Sequence, residues 1–196
     1  MGLEIAGTVV QVGAEVQGFA VGDRVMGIVG GGAYAELSRI DHRMAMHVPE
    51  GLSLTDAGAV AEVFVTAHEA LFHLAQLQPG EAVLIHAAGS GVGSAAVQLA
   101  HAAGARVFAT ASGDKRAAVL GLGADVFIDY RSEDFQAVVA EQTGGQGVDV
   151  VVDFIGAPYL ERNLRSMAMG GRMVCVGLLG GALAAACRWT CCCTGT

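Results

Sequence analysis

The stretch Ala82–Gly93, AVLIHAAGSGVG, has the composition best suited to chemistry. An apolar run (Val83, Leu84, Ile85) enters a turn of small residues, which continues into SAAVQLAHAAG. That is the pattern of a buried parallel strand feeding a helix. A helix starting at Gly91 or Val92 points free N–H groups and the positive end of its dipole back into the turn. Between Ala87 and Gly93 only Val92 has a bulky side chain, so a diphosphate can sit there. A tight strand-to-helix turn with no ligand has the same sequence. The repeating strand–helix chain around the turn favours dinucleotide binding, because the motif requires that context.

The second strand of such a sheet decides which dinucleotide is bound. An NAD site carries an Asp or Glu about 20 residues past the glycine turn, to hold the ribose 2′-hydroxyl. Here that strand ends Ala109-Thr110-Ala111-Ser112 and is followed by Gly113-Asp114-Lys115-Arg116. A small hydroxyl followed by two cations suits a 2′-phosphate, which a carboxylate would repel. NADPH is therefore the expected cofactor. Asp114 argues the other way unless it caps the following helix, and Lys115 and Arg116 also fit a solvated helix face.

The other reactive side chains form no such pattern. His42, His47, His68, His73, His86 and His101 are scattered, with no carboxylate at an evident pairing distance. His86 ends the first strand beside the turn and reads as a packing or turn-capping imidazole. No residue stands out as a general acid, so the catalytic residues stay unassigned and a proton could come from solvent. Cys187, Cys191, Cys192 and Cys193 crowd the end of the chain without zinc-knuckle spacing and with no histidine nearby, so no metal site is expected.

The elements that must position these residues follow from hydrophobic period. Beyond Gly80, strands at 82–86, 105–110, 125–129, 148–153 and 172–176 alternate with helices at 91–103, 114–122, 133–142 (capped by Ser132) and 158–168. This alternation calls for an α/β fold with a doubly wound parallel sheet. The first quarter is different. Strands at 3–13, 24–26, 33–40 and 44–48 predict an antiparallel β segment. Ser53 with Asp56 forms a helix-capping box, and apolar residues from Ala59 to Leu77 keep helical spacing up to the stop at Pro79-Gly80. The expected organisation is a partial catalytic β domain over 1–52, a dinucleotide-binding domain with its linking helices over 53–181, and a tail over 182–196.

Composition agrees with a well-buried α/β protein: of 196 residues, 53% are hydrophobic and 15% charged, with 29 glycines and 3 prolines. A net charge of −8 gives no electrostatic footprint for nucleic acid or an anionic membrane. No signal-peptide pattern follows Met1, so the expected location is cytoplasmic.

GLEIAGTVVQVG, VGDRVMG, AYAEL, VPEGLSLTDAGAV and VLIHAAGSGVGSAAVQLAHAAGA occur in that order over residues 2 to about 181. Together they resemble the zinc-free medium-chain dehydrogenase/reductases of the NAD(P)H:quinone oxidoreductase branch. The SGVG turn and the GLGAD…DYR run look most like the tumour-suppressor-inducible quinone reductases. The resemblance implies a Rossmann sheet beside a GroES-like domain, and hydride transfer from NADPH to a quinone or another electron-poor conjugated carbonyl. It implies that Gly89, Ser90, Gly91, Val92 and Gly93 hold the diphosphate, and that Ser112, Lys115 and Tyr130 surround the adenosine 2′-phosphate. Gly177 and Leu178 would border the nicotinamide, with Thr66 near its other face. Leu3 stands where zinc-dependent relatives place a ligand histidine, so no catalytic zinc is expected.

The sequence also departs from the family pattern. Ala61 replaces a usual proline, the β structure before Leu3 is missing, and ALAAACRWTCCCTGT matches nothing in the family. The expectation is an internal piece with both ends cut and a tail from a shifted reading frame, turning over weakly. An NADPH-binding module without turnover, or a poorly folded product, are the alternatives. The small-molecule quinone is the expected partner, and the oligomeric state stays open, a homodimer included.

Overall fold

The computed structural model describes residues 1–182, which fall into two compact units divided after Ala67. The cysteine-rich segment, with the expectations placed on it, lies outside the described residues.

In the first unit β1 (Glu4–Thr8), β2 (Arg24–Ile28) and β3 (Ala45–His47) form an antiparallel sheet in that order. Met26, Val48 and Ala57 make its buried cluster, flanked by Ala6, Leu52, Leu54 and Val60. Two of these flanking residues and Ala57 lie beyond residue 52. The first compact unit extends to Ala67, and the short helix α1 (Leu54–Ala57) packs into the β unit's core. Ser53 caps α1 as expected: its Oγ accepts from the Asp56 N–H at 3.0 Å and donates to the Asp56 carboxylate at 2.6 Å.

Two expected strands differ. β1 stops at Thr8, although Val9 still exchanges backbone bonds with Asp23 and Gly22 at 2.9 and 2.8 Å. The alternating segment 33–40 is not a strand at all. Its Ala35 N–H bonds back to the Ala33 carbonyl at 2.9 Å, which curls the chain out of extended geometry. Tyr34 and Leu37 are consequently 84% and 73% exposed, so the alternation has no buried face.

The expected helix from Ala59 to Leu77 is divided. α2 (Ala61–His68) passes into a wider π turn over Glu69–Leu74, closed by the Ala75 N–H on the Ala70 carbonyl at 3.0 Å. A bond spanning five residues leaves no mark in a 3.6-residue period.

In the second unit β4 (Ala82–Ile85), β5 (Arg106–Ala111), β6 (Val126–Asp129), β7 (Val148–Asp153) and β8 (Met167–Cys175) form a parallel sheet of order β6-β5-β4-β7-β8. The helices between them are α3 (Gly91–Ala102), α4 (Arg116–Gly121), α5 (Phe135–Gln142) and α6 (Leu160–Ser166). Val83, Leu84, Ile85, Val107, Phe108 and Val150–Val152 are all buried, as a sheet covered on both faces requires. One face packs Leu84, Phe108, Ile128 and Val151 against Phe135 and Val139 of α5. β4 lies at the centre, with β5 on one side and β7 on the other. Its carboxyl end is the topological switch point, where open sheets of this kind bind ligands.

Four local expectations change here. α5 is capped by Asp134, whose Oδ1 accepts from the Gln136 N–H at 3.1 Å, and not by Ser132. α6 ends at Ser166 rather than 168. β8 begins at Met167 rather than 172, with a bulge at Gly170 (φ +80°) that the chain needs to return to register with Val150. The helix expected from residue 114 starts with a 3₁₀ turn over Gly113–Lys115.

Candidate nucleotide-binding site

The site is built at the carboxyl end of β4. The His86 N–H bonds to the Val152 carbonyl of β7 at 3.0 Å, and the Ala88 N–H bonds to the Thr110 carbonyl of β5 at 2.9 Å. Between these two anchors Ala87 takes φ +47°, a left-handed conformation uncommon for alanine, and reverses the chain toward α3. Ser90 caps α3: its Oγ accepts from the Gly93 N–H at 3.1 Å and its carbonyl from the Ser94 N–H at 2.8 Å. The N–H groups of Gly91 and Val92 have no acceptor among the described residues. Gly93 lets the helix approach the turn: a Cβ there would stand 2.8 Å from Ala88 Cα and closer still to the Ala87 carbonyl oxygen. A cradle that a single methyl would fill, with two free N–H donors at a helix N-terminus, fits a diphosphate.

The turn after β5 leans on this one. Lys115 Nζ donates to the Gly89 carbonyl at 3.0 Å, and its stem lies where a Cβ on residue 89 would go. Ser112 follows β5 and is half-buried. Asp114 does not cap α4, because Lys115 holds that position. The Ser112 hydroxyl beside Asp114 holds its carboxyl below the usual range. Tyr130 follows β6, its N–H bonding to the Ala111 carbonyl at 3.3 Å, with the Arg131 guanidinium 5.8 Å from its ring centre. Asp129 was not singled out from the sequence. Its Oδ1 accepts from the Arg131 N–H at 3.1 Å, while Oδ2 lies 2.6 Å from where a Cβ on Gly113 would stand.

On the other side of β4, Gly177 and Leu178 follow β8 and run beside the turn after β7. Val176 and Gly177 N–H groups bond to the Asp153 carbonyl at 2.7 and 3.3 Å, and Leu179 N–H bonds to that of Phe154 at 3.0 Å. The buried Asp153 carboxylate shapes that turn, accepting from Ile155 and Gly156 N–H groups at 2.8 and 3.1 Å. Sequence reasoning missed it. Thr66 lies on α2 in the first unit, and the other candidate positions all lie in the second.

A buried polar cluster sits directly under the glycine turn. His86 is 0% exposed and bonds Thr110 Oγ1 through Nδ1 at 2.9 Å and Asn163 Oδ1 through Nε2 at 2.8 Å. Burial pushes the imidazole below its ordinary pKa, against a smaller opposing pull from Asn163 and Asp153, so it is neutral.

Comparison with known proteins identifies the family. The model of the zinc-binding dehydrogenases matches residues 91–190, and that of the alcohol dehydrogenase GroES-like domain matches residues 1–76. The chain belongs to the medium-chain dehydrogenase/reductases. It is 44% identical over 179 residues to the phenolphthiocerol synthesis polyketide synthase type I Pks15/1 of Mycobacterium marinum, covering 90% of this chain and 8% of that protein. Among solved structures, CurK enoyl reductase superposes with a TM-score of 0.84 at 38% identity, over 91% of this chain and 54% of that one. A quinone oxidoreductase of Pseudomonas syringae pv. Tomato DC3000 gives 0.83 at 36% identity, over 95% and 58%. Mycobacterial Rv1454c complexed with NADPH gives 0.85 at 33% identity, over 94% and 58%. The chain thus spans about half the length of these solved relatives.

As a member of this family the chain has the α/β architecture expected of it, with one parallel sheet and one small antiparallel sheet. No helix among the described residues is long and apolar enough to cross a membrane. Leu3 directly precedes β1 and is exposed, and among the described residues no three His, Cys, Asp or Glu side chains gather in a way that could hold a metal ion.

Proposed function

We propose that this medium-chain dehydrogenase/reductase binds NADPH and reduces an electron-poor conjugated carbonyl, either an enoyl thioester or a quinone. The observation that carries the reading is the Lys115 ammonium on the Gly89 carbonyl, beside the capped N-terminus of α3, with Ser112 and no carboxylate at the end of β5. A cation fixed at that point favours a 2′-phosphate over a free ribose hydroxyl. The NADPH complex of the Rv1454c structure supports the choice of cofactor. CurK enoyl reductase and the Pseudomonas quinone oxidoreductase support the two acceptor classes.

When bound, the reduced nicotinamide supplies a hydride to the electron-poor carbon of the acceptor. The chain's own residues bind and orient. Gly91 and Val92 donate N–H groups to the diphosphate, Ser90 and the glycines leave it room, and Ser112, Lys115 and Tyr130 take the 2′-phosphate end. Gly177 and Leu178 would flank the nicotinamide ring, and Thr66 is the candidate from the first unit. Among the described residues no side chain is assigned as donor of the proton that completes the reduction, and solvent could supply it.

Fluorescence titration of NADPH and NADH against wild type and Lys115→Ala tests the cofactor assignment. Lys115→Ala should weaken NADPH by about 1.5–3 kcal/mol, as for a lost charged hydrogen bond, and leave NADH nearly unchanged. An equal loss for both would refute the 2′-phosphate role of Lys115. Following reduced-cofactor absorbance with a crotonyl thioester and with a small quinone then separates the two acceptor classes. Binding with neither turnover would reduce the chain to a nucleotide-binding module.

A further inference from the structure

The left-handed kink at Ala87 is what turns the chain from β4 toward the N-terminus of α3. A strained residue of this kind persists only where its surroundings hold it. Here the hold comes from both neighbouring strands and from α6. Thr110 grips the turn twice, through its carbonyl on the Ala88 N–H at 2.9 Å and through its hydroxyl on His86 Nδ1 at 2.9 Å. The His86 backbone N–H is held by Val152 at 3.0 Å, and its ring by Asn163 at 2.8 Å. The remaining surroundings are close-packed. The rings of Phe135 and Tyr159 stand edge-on at 4.7 and 4.9 Å, and the Arg162 guanidinium lies 4.6 Å over each of them. With Asn163 Oδ1 as acceptor, Nε2 carries the proton and Nδ1 accepts from the Thr110 hydroxyl, so the ring is a neutral two-sided bridge.

We propose that His86 is a positioning residue for cofactor binding: its imidazole, bridging Thr110 and Asn163, holds the Ala87 kink and so aims the Gly91 and Val92 N–H groups at the diphosphate. This rests on the nucleotide-binding reading above. It concerns only the diphosphate half of the ligand, and that confines its effect. Loss of the bridge should weaken ligands that carry a diphosphate and spare one that carries only the 2′-phosphate.

The test compares NADPH with adenosine 2′-phosphate, by fluorescence and by NMR titration respectively, on wild type, His86→Gln and the isosteric Thr110→Val. Circular dichroism checks that each variant is folded, and Thr110→Val keeps the test open if His86→Gln does not fold. The expected result is a loss of about tenfold for NADPH, equivalent to roughly 1.4 kcal/mol, with adenosine 2′-phosphate changed less than about twofold. Adding Ala87→Gly, which adopts the kink without strain, should recover most of the lost NADPH affinity. A merely structural histidine would show no such selective loss or rescue. Equal losses for both ligands, or no loss for NADPH, would overturn the proposal. A wild-type protein with no affinity for NADPH would overturn the reading beneath it instead.

Discussion

A methyl group added at Gly93 probes the contact on which the candidate site depends. Gly93 lies in the first turn of α3, where alanine ordinarily gains about 1 kcal/mol over glycine through helix propensity. Here the built Cβ stands 2.8 Å from Ala88 Cα and 2.9 Å from the Ala87 carbonyl carbon, and all three nearest atoms are backbone. Carbon atoms pack at roughly 3.5 Å or more, so α3 and the turn must part by at least about 0.7 Å, the Ala87 carbonyl oxygen being closer still. No side-chain rotation can relieve it. Overpacking of this kind costs about 1–3 kcal/mol, and backbone against backbone belongs at the upper end. After the helix gain, Gly93→Ala should destabilise by about 1–2 kcal/mol. Gly121, at the end of α4, is the matched control, because a Cβ there meets nothing within 4 Å. Gly121→Ala should be neutral or stabilising by up to about 1 kcal/mol. Urea unfolding followed by circular dichroism reads both. With a slope of about 2 kcal/mol per molar, the Gly93→Ala midpoint should fall by roughly 0.5–1 M. NADPH affinity should fall with it, since the Gly91 and Val92 donors ride on the displaced turn. A Gly93→Ala midpoint at or above wild type, with NADPH binding intact, would show that the close approach does not build the site.

Two further outcomes are expected. Ser90→Ala removes the acceptor of the Gly93 N–H and should cost about 1 kcal/mol in urea unfolding, and a midpoint equal to wild type would count against the cap. Acidification should destabilise the fold through His86, whose folded pKa lies below its ordinary value because of burial, with Arg162 adding to the depression and Asn163 and Asp153 opposing it. The unfolded chain then binds the extra proton. Stability is therefore full above about pH 6.5, falls by up to about 1.4 kcal/mol per pH unit below it, and levels off beneath the folded pKa. Unfolding curves of wild type and His86→Gln should converge as pH falls through that window, and parallel curves would contradict it.

Much of this site was legible because it depends on what is absent. The small residues of HAAGSGVG announce a turn with room for a ligand, and the bare Ala-Ser end of β5 announces the missing carboxylate. Neither needs a partner to be read. The buried runs of β4, β5 and β7 are similar, since burial on both faces erases alternation locally. The features missed depend either on a distant residue or on the exact shape of a local turn. Asp129 meets the loop at Gly113, the Asp153 carboxylate acts on a turn whose shape only the fold defines, and Asp134 displaces Ser132 as cap by reaching the Gln136 N–H. His86 shows the point most fully. Its bonding partners lie 24 and 77 residues away, so its sequence neighbours suggest a packing or capping imidazole. In three dimensions the ring is buried and bonded on both sides, beside a strained turn that in the proposed reading presents N–H groups to an anion. A buried polar bridge of this kind costs desolvation that a well-packed apolar side chain would avoid. Its place here is accounted for if the orientation of the turn, more than the stability of the core, is what the bridge secures.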